Sequence, residues 1–390
     1  MPVVMIEIFV PLLSLFIFIL GTGFFSTLLA LNMTLSHASP LAIGAMTGVF
    51  YAGLVVGSFR MDRFISRVGH RRAYVLFSAT QAIICLLHGI FYQVGLWLFL
   101  RGLAGFASAG LFVVIESWLL GKSTAMNRGR VLSLYMISYY AAQSLGQFFL
   151  NLAEPDTLSL FALTSILCSL SIIPLAMSRV NPPKYEEAST LSLQKLLDKS
   201  MAGFVGCLSS GLIMGGIYGL MPALLSDLFH DNSKVANYMF AIIFGGMLLQ
   251  YPLGRLSDLV ARRLVLILIA VATSIVSFIL MTTHINPWCF FILMLLFGGL
   301  TFTLYPISIS HACDTLETCD IVAGTQSLLL AYSLGAMAGP LLAPWFMHVF
   351  GMGGLFIYFI TVCSLMTPFF LLRKSAEVGE PQEESFLANP

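Results

Sequence analysis

Twelve apolar runs, centred near residues 19, 50, 82, 107, 139, 168, 212, 245, 273, 298, 333 and 361, divide the chain, and each has about the 20 residues an α-helix needs to cross a bilayer. In hydrocarbon every backbone N–H and C=O must find its partner inside the segment, so runs of this kind fold as helices. The expected fold class is all-α integral membrane, with twelve transmembrane helices in two pseudo-symmetric six-helix bundles. Composition agrees: 58% of the 390 residues are apolar and 9% are charged, against roughly 25% charged in a soluble domain. The seven cysteines lie mostly inside apolar runs, with no CxxC pair and no histidine at a zinc-ligand spacing. They read as packing residues, and no cofactor or metal is expected. The stretch Ile8 to Leu31 is too long for a signal-peptide core, and Met1 to Glu7 carries no Lys or Arg, so it reads as a first span and not as a cleaved leader.

Twelve spans put both termini on one face, and the basic residues say which. Arg60, Arg63, Arg67, Arg71 and Arg72 follow span two; Lys122, Arg128 and Arg130 follow span four; Arg179, Lys184, Lys195 and Lys199 follow span six. Arg255, Arg262 and Arg263 follow span eight, and Arg373 with Lys374 follows span twelve, so 17 of the 19 basic residues share a face. The positive-inside rule makes that face, and both termini, cytoplasmic. Lys234 stands opposite and Arg101 lies within a span. The connection after span ten dissents, with Asp314, Glu317 and Asp320 and no basic residue. A net charge of +1 parcelled into short loops argues against a nucleic-acid partner.

The expected organisation is a first half over 1–180, a cytoplasmic linker over 181–200, a second half over 201–373 and a disordered cytoplasmic tail over 374–390. The linker carries Asn181-Pro182-Pro183 and then Leu191, Leu193, Leu196 and Leu197, the pattern of an amphipathic helix lying on the membrane surface. The tail is acidic, with Glu377, Glu380, Glu383 and Glu384. A gapless shift of 193 residues pairs Gly23 with Gly216, His37 with His230, Gly53 with Gly246, Gly105 with Gly298, Tyr139 with Tyr332 and Gly146 with Gly339. The halves therefore read as parallel repeats about an axis normal to the membrane, with a site between them at mid-depth. Glycines in such positions also let helix backbones approach closely.

Gly254-Arg255-Leu256-Ser257-Asp258-Leu259-Val260-Ala261-Arg262-Arg263 resembles the loop signature of the major facilitator superfamily, with Ala261 where Gly is usual. The first-half loop keeps Gly69-His70-Arg71-Arg72 but has Asp62 in the Gly slot and Ser66 in the Asp slot. Arg101-Gly102-Leu103-Ala104-Gly105 is similar to the superfamily's span-four element, and Gly335 to Pro340 to its G-x-x-x-G-P element. In span five that element is altered to Ala142 and Gln147, which weakens a drug-antiporter assignment. Val114-Ile115-Glu116-Ser117-Trp118, Asn127-Arg128-Gly129-Arg130, Tyr139-Tyr140, Gly146-Gln147, Tyr218 to Pro222 and Phe302 to Pro306 together resemble the YcaD-like branch, over roughly residues 10 to 372. The resemblance implies a transporter of the cell inner (cytoplasmic) membrane with the major facilitator fold. It further implies that Asp258 with Arg262 latches the cytoplasmic gate, alongside Gly254, Arg263, Gly69, Arg71 and Arg72. The plainer reading is that these charges only set topology.

A charge near mid-bilayer costs about 2.5 to 3.5 kcal/mol on insertion scales, so Arg101 and Glu116 need a reason. Fifteen residues leave them about 60° apart round one helix and about 22 Å apart along it, so they cannot pair. Arg101 either binds an anion or couples protons, or else bonds carbonyls and polar groups of a neighbouring helix. Glu116 is either a protonatable group or a partner for Arg128 or Arg130. Tyr135, Tyr139, Gln143 and Gln147 recur every four residues in span five, a stripe that lines a cavity or cements the span to its neighbours. Span seven repeats the idea with Ser210, Met214 and Tyr218, and span ten with Thr301, Tyr305 and Ser308. His311 and Asp314 could exchange protons or simply be solvated. No GxxxxGK[ST], HExxH or GxSxG is present, so neither an ATP-driven pump nor an enzyme is expected. The expected function is secondary active transport of a small polar or anionic solute by alternating access, coupled to a proton gradient. Its partners are the solute, protons and the bilayer, and it is expected to work as a monomer. Proton-driven efflux of drugs or metabolites, and a transporter-like sensor that moves nothing, are the alternatives.

Overall fold

The computed structural model describes residues 2–59, 61–121, 128–177, 193–282, 286–314, 316 and 321–372. They form α1 (Pro2–Thr22), α2 (Phe25–Leu35), α3 (Pro40–Ser58), α4 (Met61–Val68), α5 (His70–Ile90), α6 (Val94–Gly121), α7 (Arg128–Gly146) and α8 (Leu158–Leu170). There follow α9 (Ile172–Met177), α10 (Leu193–Phe229), α11 (Asn232–Leu259), α12 (Arg262–Thr282), α13 (Pro287–Cys313), α14 (Ile321–Phe350) and α15 (Gly354–Leu372). Among the described residues ten segments are long and apolar enough to cross a membrane, two of them built from helices in series, Ile8–Leu35 and Leu158–Met177. α15 and α7, the latter prolonged by a 3₁₀ segment at Gln147–Asn151, bring the crossings to twelve. α7 is less apolar than the rest because of its tyrosines and glutamines. Its polar side meets protein, since α1 packs along it on one side and α11 on the other, while Leu134, Ile137 and Leu145 face outward.

The repeat is visible in the packing. α3 lies on α6 as α11 lies on α13, α1 on α7 as α10 on α14, and α5 on α8 as α12 on α15. A Cβ on Gly105 would come within 1.9 Å of the Phe50 carbonyl oxygen, and one on Gly298 within 1.9 Å of the Ile242 carbonyl oxygen. The same backbone-to-backbone crossing is thus built twice, 193 residues apart. His37 and His230 are the only non-glycine residues with positive φ among those described, at 55° and 49°. Each ends the first helical span of its half in a left-handed turn. The His37 and Ala38 amides close back on Thr34 and Met33, and the His230 amide on Ser226.

The face carrying the chain ends is called here the terminal face, and the opposite one the far face. The halves meet where α3 touches α14, where α2 and α3 touch α10, and where α7 and the 3₁₀ segment touch α11. The closest approaches lie toward the far face. A Cβ on Gly44 would meet the Pro340 carbonyl oxygen at 1.9 Å, one on Gly48 the Met337 carbonyl oxygen at 3.0 Å, and one on Gly219 the Thr47 Cβ at 3.3 Å. Phe148 and Phe240 are 4.8 Å apart between centroids. At the far surface Asn232 Nδ2 donates to Glu154 Oε2 at 2.9 Å and Ser233 Oγ to Asn151 Oδ1 at 2.8 Å, beside a polar cleft of about 630 Å³. The far face is therefore sealed in this conformation.

α10 is broken at Ser200 (φ −143°, ψ 61°), which sets a short helix over 193–199 apart from the span that follows. The rest of the linker, over 181–192, and the tail over 374–390 lie outside the described residues.

Candidate functional site

Beneath the seal, aromatic side chains from both halves meet at mid-depth. In the first half Phe112 of α6 lies 6.0 Å from Tyr139 of α7. In the second, Tyr305 of α13 lies 4.6 Å from Tyr332 of α14. These are the same two positions under the 193-residue shift. From the first pair a chain of ring contacts crosses the interface: Tyr139 touches Tyr140 (5.5 Å), Tyr140 touches Phe302 (5.5 Å), and Phe302 touches Tyr218 (6.1 Å). Tyr218 Oη in turn donates to Gln143 Oε1 at 3.3 Å, from α10 back to α7. Tyr51, Tyr139, Tyr140, Tyr218, Tyr305 and Tyr332 are all half-buried although they sit between helices. A packed core would close over such rings completely, so they border open space.

Two charges flank this frame. Glu116 lies one turn beyond Phe112 on α6, half-buried, and Tyr135 Oη donates to its Oε1 at 2.8 Å. Arg101 is placed differently. Only 3% exposed, it donates from Nη2 to Ser26 Oγ at 3.0 Å and from Nε to the Met46 carbonyl at 3.4 Å, and its guanidinium lies 4.4 Å from the Phe50 centroid. Ser26, Thr47 and Gly219 line the same narrow crevice, which has no room for a water molecule. Arg101 thus links α6 to α2 and α3 under the far-face seal.

The α7 stripe divides the two roles among its members. Tyr135 and Gln147 cement, the latter by donating from Nε2 to the Gly23 carbonyl at 2.9 Å. Tyr139 borders the open space, and Gln143 bridges to the other half. Ser210, Met214, Thr301 and Ser308 are buried in the second half, with Thr301 Oγ1 bonded to its own helix at Phe297. His311 stands edge-on to Phe370 at 6.4 Å.

The sequence model of the Major Facilitator Superfamily matches residues 12–318 and 203–388. The chain is also 32% identical over 370 residues to the MFS-type transporter YcaD of Escherichia coli (strain K12 / DH10B), covering 94% of this chain and 96% of that one. This chain belongs to the major facilitator superfamily. Two solved structures share the fold at 12% identity. The nucleoside transporter NupG, as its D323A mutant, aligns with a TM-score of 0.77 over 94% of this chain and 99% of its own. A bacterial homolog of the human lysosomal transporter Spinster, in an inward-facing and unoccupied conformation, aligns with a TM-score of 0.73 over 94% and 96%.

The superfamily's loop signature is held by one arginine. Arg262 pairs through Nη2 with Asp258 Oδ1 at 3.3 Å and through Nε with Asp314 Oδ2 at 3.1 Å. It ties together the ends of α11, α12 and α13, all within the second half. Asp314 of the acidic loop after α13 thereby has a partner, the charge at the start of α12. Sequence reading missed this because Asp314 and Arg262 share no periodicity. Gly69 needs to be glycine, having φ 88°. Ala261 departs from the signature without strain, because the chain around it stays in ordinary φ and Val260 runs extended (φ −125°, ψ 155°). A side chain at Gly254 would meet nothing within 4 Å. Arg71 and Arg263 are half-buried and Arg72 is exposed. The side chains of Asp62 and Arg128 lie outside the described residues. Also missed were Tyr51 and Phe112, which stand among the half-buried rings; the repeat pairing of Phe112 with Tyr305 was the available signal.

Proposed function

We propose that this major facilitator protein is a secondary active transporter that carries a small organic solute by alternating access, with Glu116 as the group that exchanges protons with the driving gradient. One observation carries the reading. The contacts that join the halves lie toward the far face, while half-buried phenols from both halves border open space below them. A rocking motion of one half against the other would open the far face and close the terminal one around a solute held on those phenols. On this reading the terminal face, where the basic loops gather, is cytoplasmic, which makes the described state inward-facing. Arg101 bonds Ser26 and the Met46 carbonyl and lies against Phe50 under the seal, whereas Glu116 stands one turn from Phe112 beside the rings, which favours a solute that is not an anion. The Asp258, Arg262 and Asp314 cluster would stiffen the terminal face of the second half as it moves.

The test compares proteoliposomes with and without the protein across a mixture of cellular metabolites, under imposed pH gradients of both signs. At least one solute should move only with the protein and reverse with the gradient, and Glu116→Gln should remove the dependence on the gradient. Equal movement with and without protein, for every solute, would refute transport.

A further inference from the structure

We infer that the solute is a monovalent organic cation with a broad apolar body, such as a protonated aromatic amine or a quaternary ammonium or phosphonium ion. This inference rests on the transport reading above. Phe112, Tyr139, Tyr140, Phe302, Tyr305 and Tyr332 form a frame of ring faces and edges contributed by both halves. Aromatic rings present negative π-faces, and a cation within about 6 Å of a ring centroid is attracted to them. Six rings also supply apolar area that a small hydrophilic anion could not use. Glu116 is the charged side chain beside this frame, held by the single phenolic donor Tyr135.

The cation that could reverse this preference is kept out of the site. Arg101 is 3% exposed, with Nη2 on Ser26 and Nε on the Met46 carbonyl, and it stands under the far-face seal and not among the six rings. Its guanidinium rests 4.4 Å from the centre of the Phe50 ring, an aromatic platform for a cation within this same fold. A solute arriving from the open terminal face passes Glu116 first and reaches the rings next. Such a path attracts a cation and repels an anion.

The test uses two probes of the same shape and opposite charge, tetraphenylphosphonium and tetraphenylborate. Each is measured by equilibrium dialysis against the full-length protein in detergent, with protein-free micelles subtracted. Tetraphenylphosphonium should bind saturably and at least tenfold more tightly than tetraphenylborate. Glu116→Gln, which keeps the shape of the side chain, should reduce that affinity tenfold or more, and Tyr139→Leu severalfold. Equal affinity for the two probes, or preference for the borate, overturns the inference, and that comparison needs no variant to fold. A Glu116→Gln protein that melts like the parent and binds tetraphenylphosphonium within twofold of it also overturns it. Labelling of a Thr47→Cys variant from the far face, with and without probe, separates the two readings. Charge preference without any probe-dependent labelling leaves the cation class standing and removes alternating access. Borate preference with probe-dependent labelling does the reverse.

Discussion

Replacing Gly44 by alanine should push the protein away from the described state without much loss of stability. The new Cβ would lie 1.9 Å from the Pro340 carbonyl oxygen and 2.9 Å from its carbon, whereas non-bonded heavy atoms rest at about 3.5 Å or more. α3 and α14 must therefore part by more than an ångström, and overpacking of this kind costs roughly 1–3 kcal/mol. The cost falls only on the conformation in which α3 and α14 touch. A penalty on one of two states changes their ratio by about 5- to 150-fold. Gly53 is the control, since its Cβ would meet the Gly102 carbonyl oxygen at 2.0 Å inside one half. That contact travels with the half, so Gly53→Ala should lower stability in both states and leave their ratio alone. The assay is labelling of Thr47→Cys, 4% exposed under the seal, by an impermeant maleimide from the far face. Cys289, which is exposed, is first changed to Ser. Gly44→Ala should raise the labelling rate and Gly53→Ala should not. If both variants only lower the melting temperature and neither changes labelling, the contact between α3 and α14 is ordinary packing and not a moving seal.

The clasp at the far surface should act in the same direction more weakly. Removing both Asn151 and Glu154 as alanines deletes hydrogen bonds worth about 0.5–1.5 kcal/mol each, so Thr47→Cys labelling should rise severalfold; no rise would mean that water replaces the clasp at no cost. Arg101→Lys should melt earlier almost as much as Arg101→Ala, because an ammonium cannot hold Ser26 and Met46 while stacking flat on Phe50. An affinity loss at unchanged stability would return Arg101 to the binding site. Asp258→Asn should slow turnover without lowering abundance, since Asp258 is 67% exposed and such pairs contribute about 0–1 kcal/mol to stability. Unchanged turnover would leave the loop as a topology signal alone.

The spans were legible because lipid dictates their length and composition, and the repeat was legible because His37 with His230 and Gly105 with Gly298 do the same work twice. Partner choice was not. Periodicity places Tyr135, Tyr139, Gln143 and Gln147 on one side of α7, yet that side meets three different surfaces: Glu116 on α6, the rings of the site, and the Gly23 carbonyl. The same limit applies to Arg101. Its burial cost demands partners, but Ser26, Met46 and Phe50 are distant in sequence and carry no charge to announce them. Glu116 could be singled out as a charge within a span and Tyr305 as a member of the span-ten stripe, whereas the equivalence of Tyr305 with Phe112 shows only through the repeat.

The frame is symmetric and the charge is not, which leads to the last prediction. Phe112 and Tyr139 recur as Tyr305 and Tyr332, but Glu116 recurs as Ile309, and its donor Tyr135 recurs as Leu328. Ile309, Leu328, Tyr305 and Tyr332 pack together in the second half, as Tyr135, Phe112 and Tyr139 do in the first. If the rings provide the site and the carboxylate only its charge preference, the carboxylate can be moved across the symmetry axis. Glu116→Ile alone should lose the preference for tetraphenylphosphonium over tetraphenylborate. Adding Ile309→Glu with Leu328→Tyr should restore it, because the new carboxylate gains both an adjoining ring pair and a phenolic donor. Adding Ile309→Glu without Leu328→Tyr should restore less and melt earlier, since a buried carboxylate with no donor is costly. Failure of the triple variant to recover the preference, with its melting temperature near that of the parent, would show that Glu116 acts through a partner peculiar to the first half and not through the shared frame.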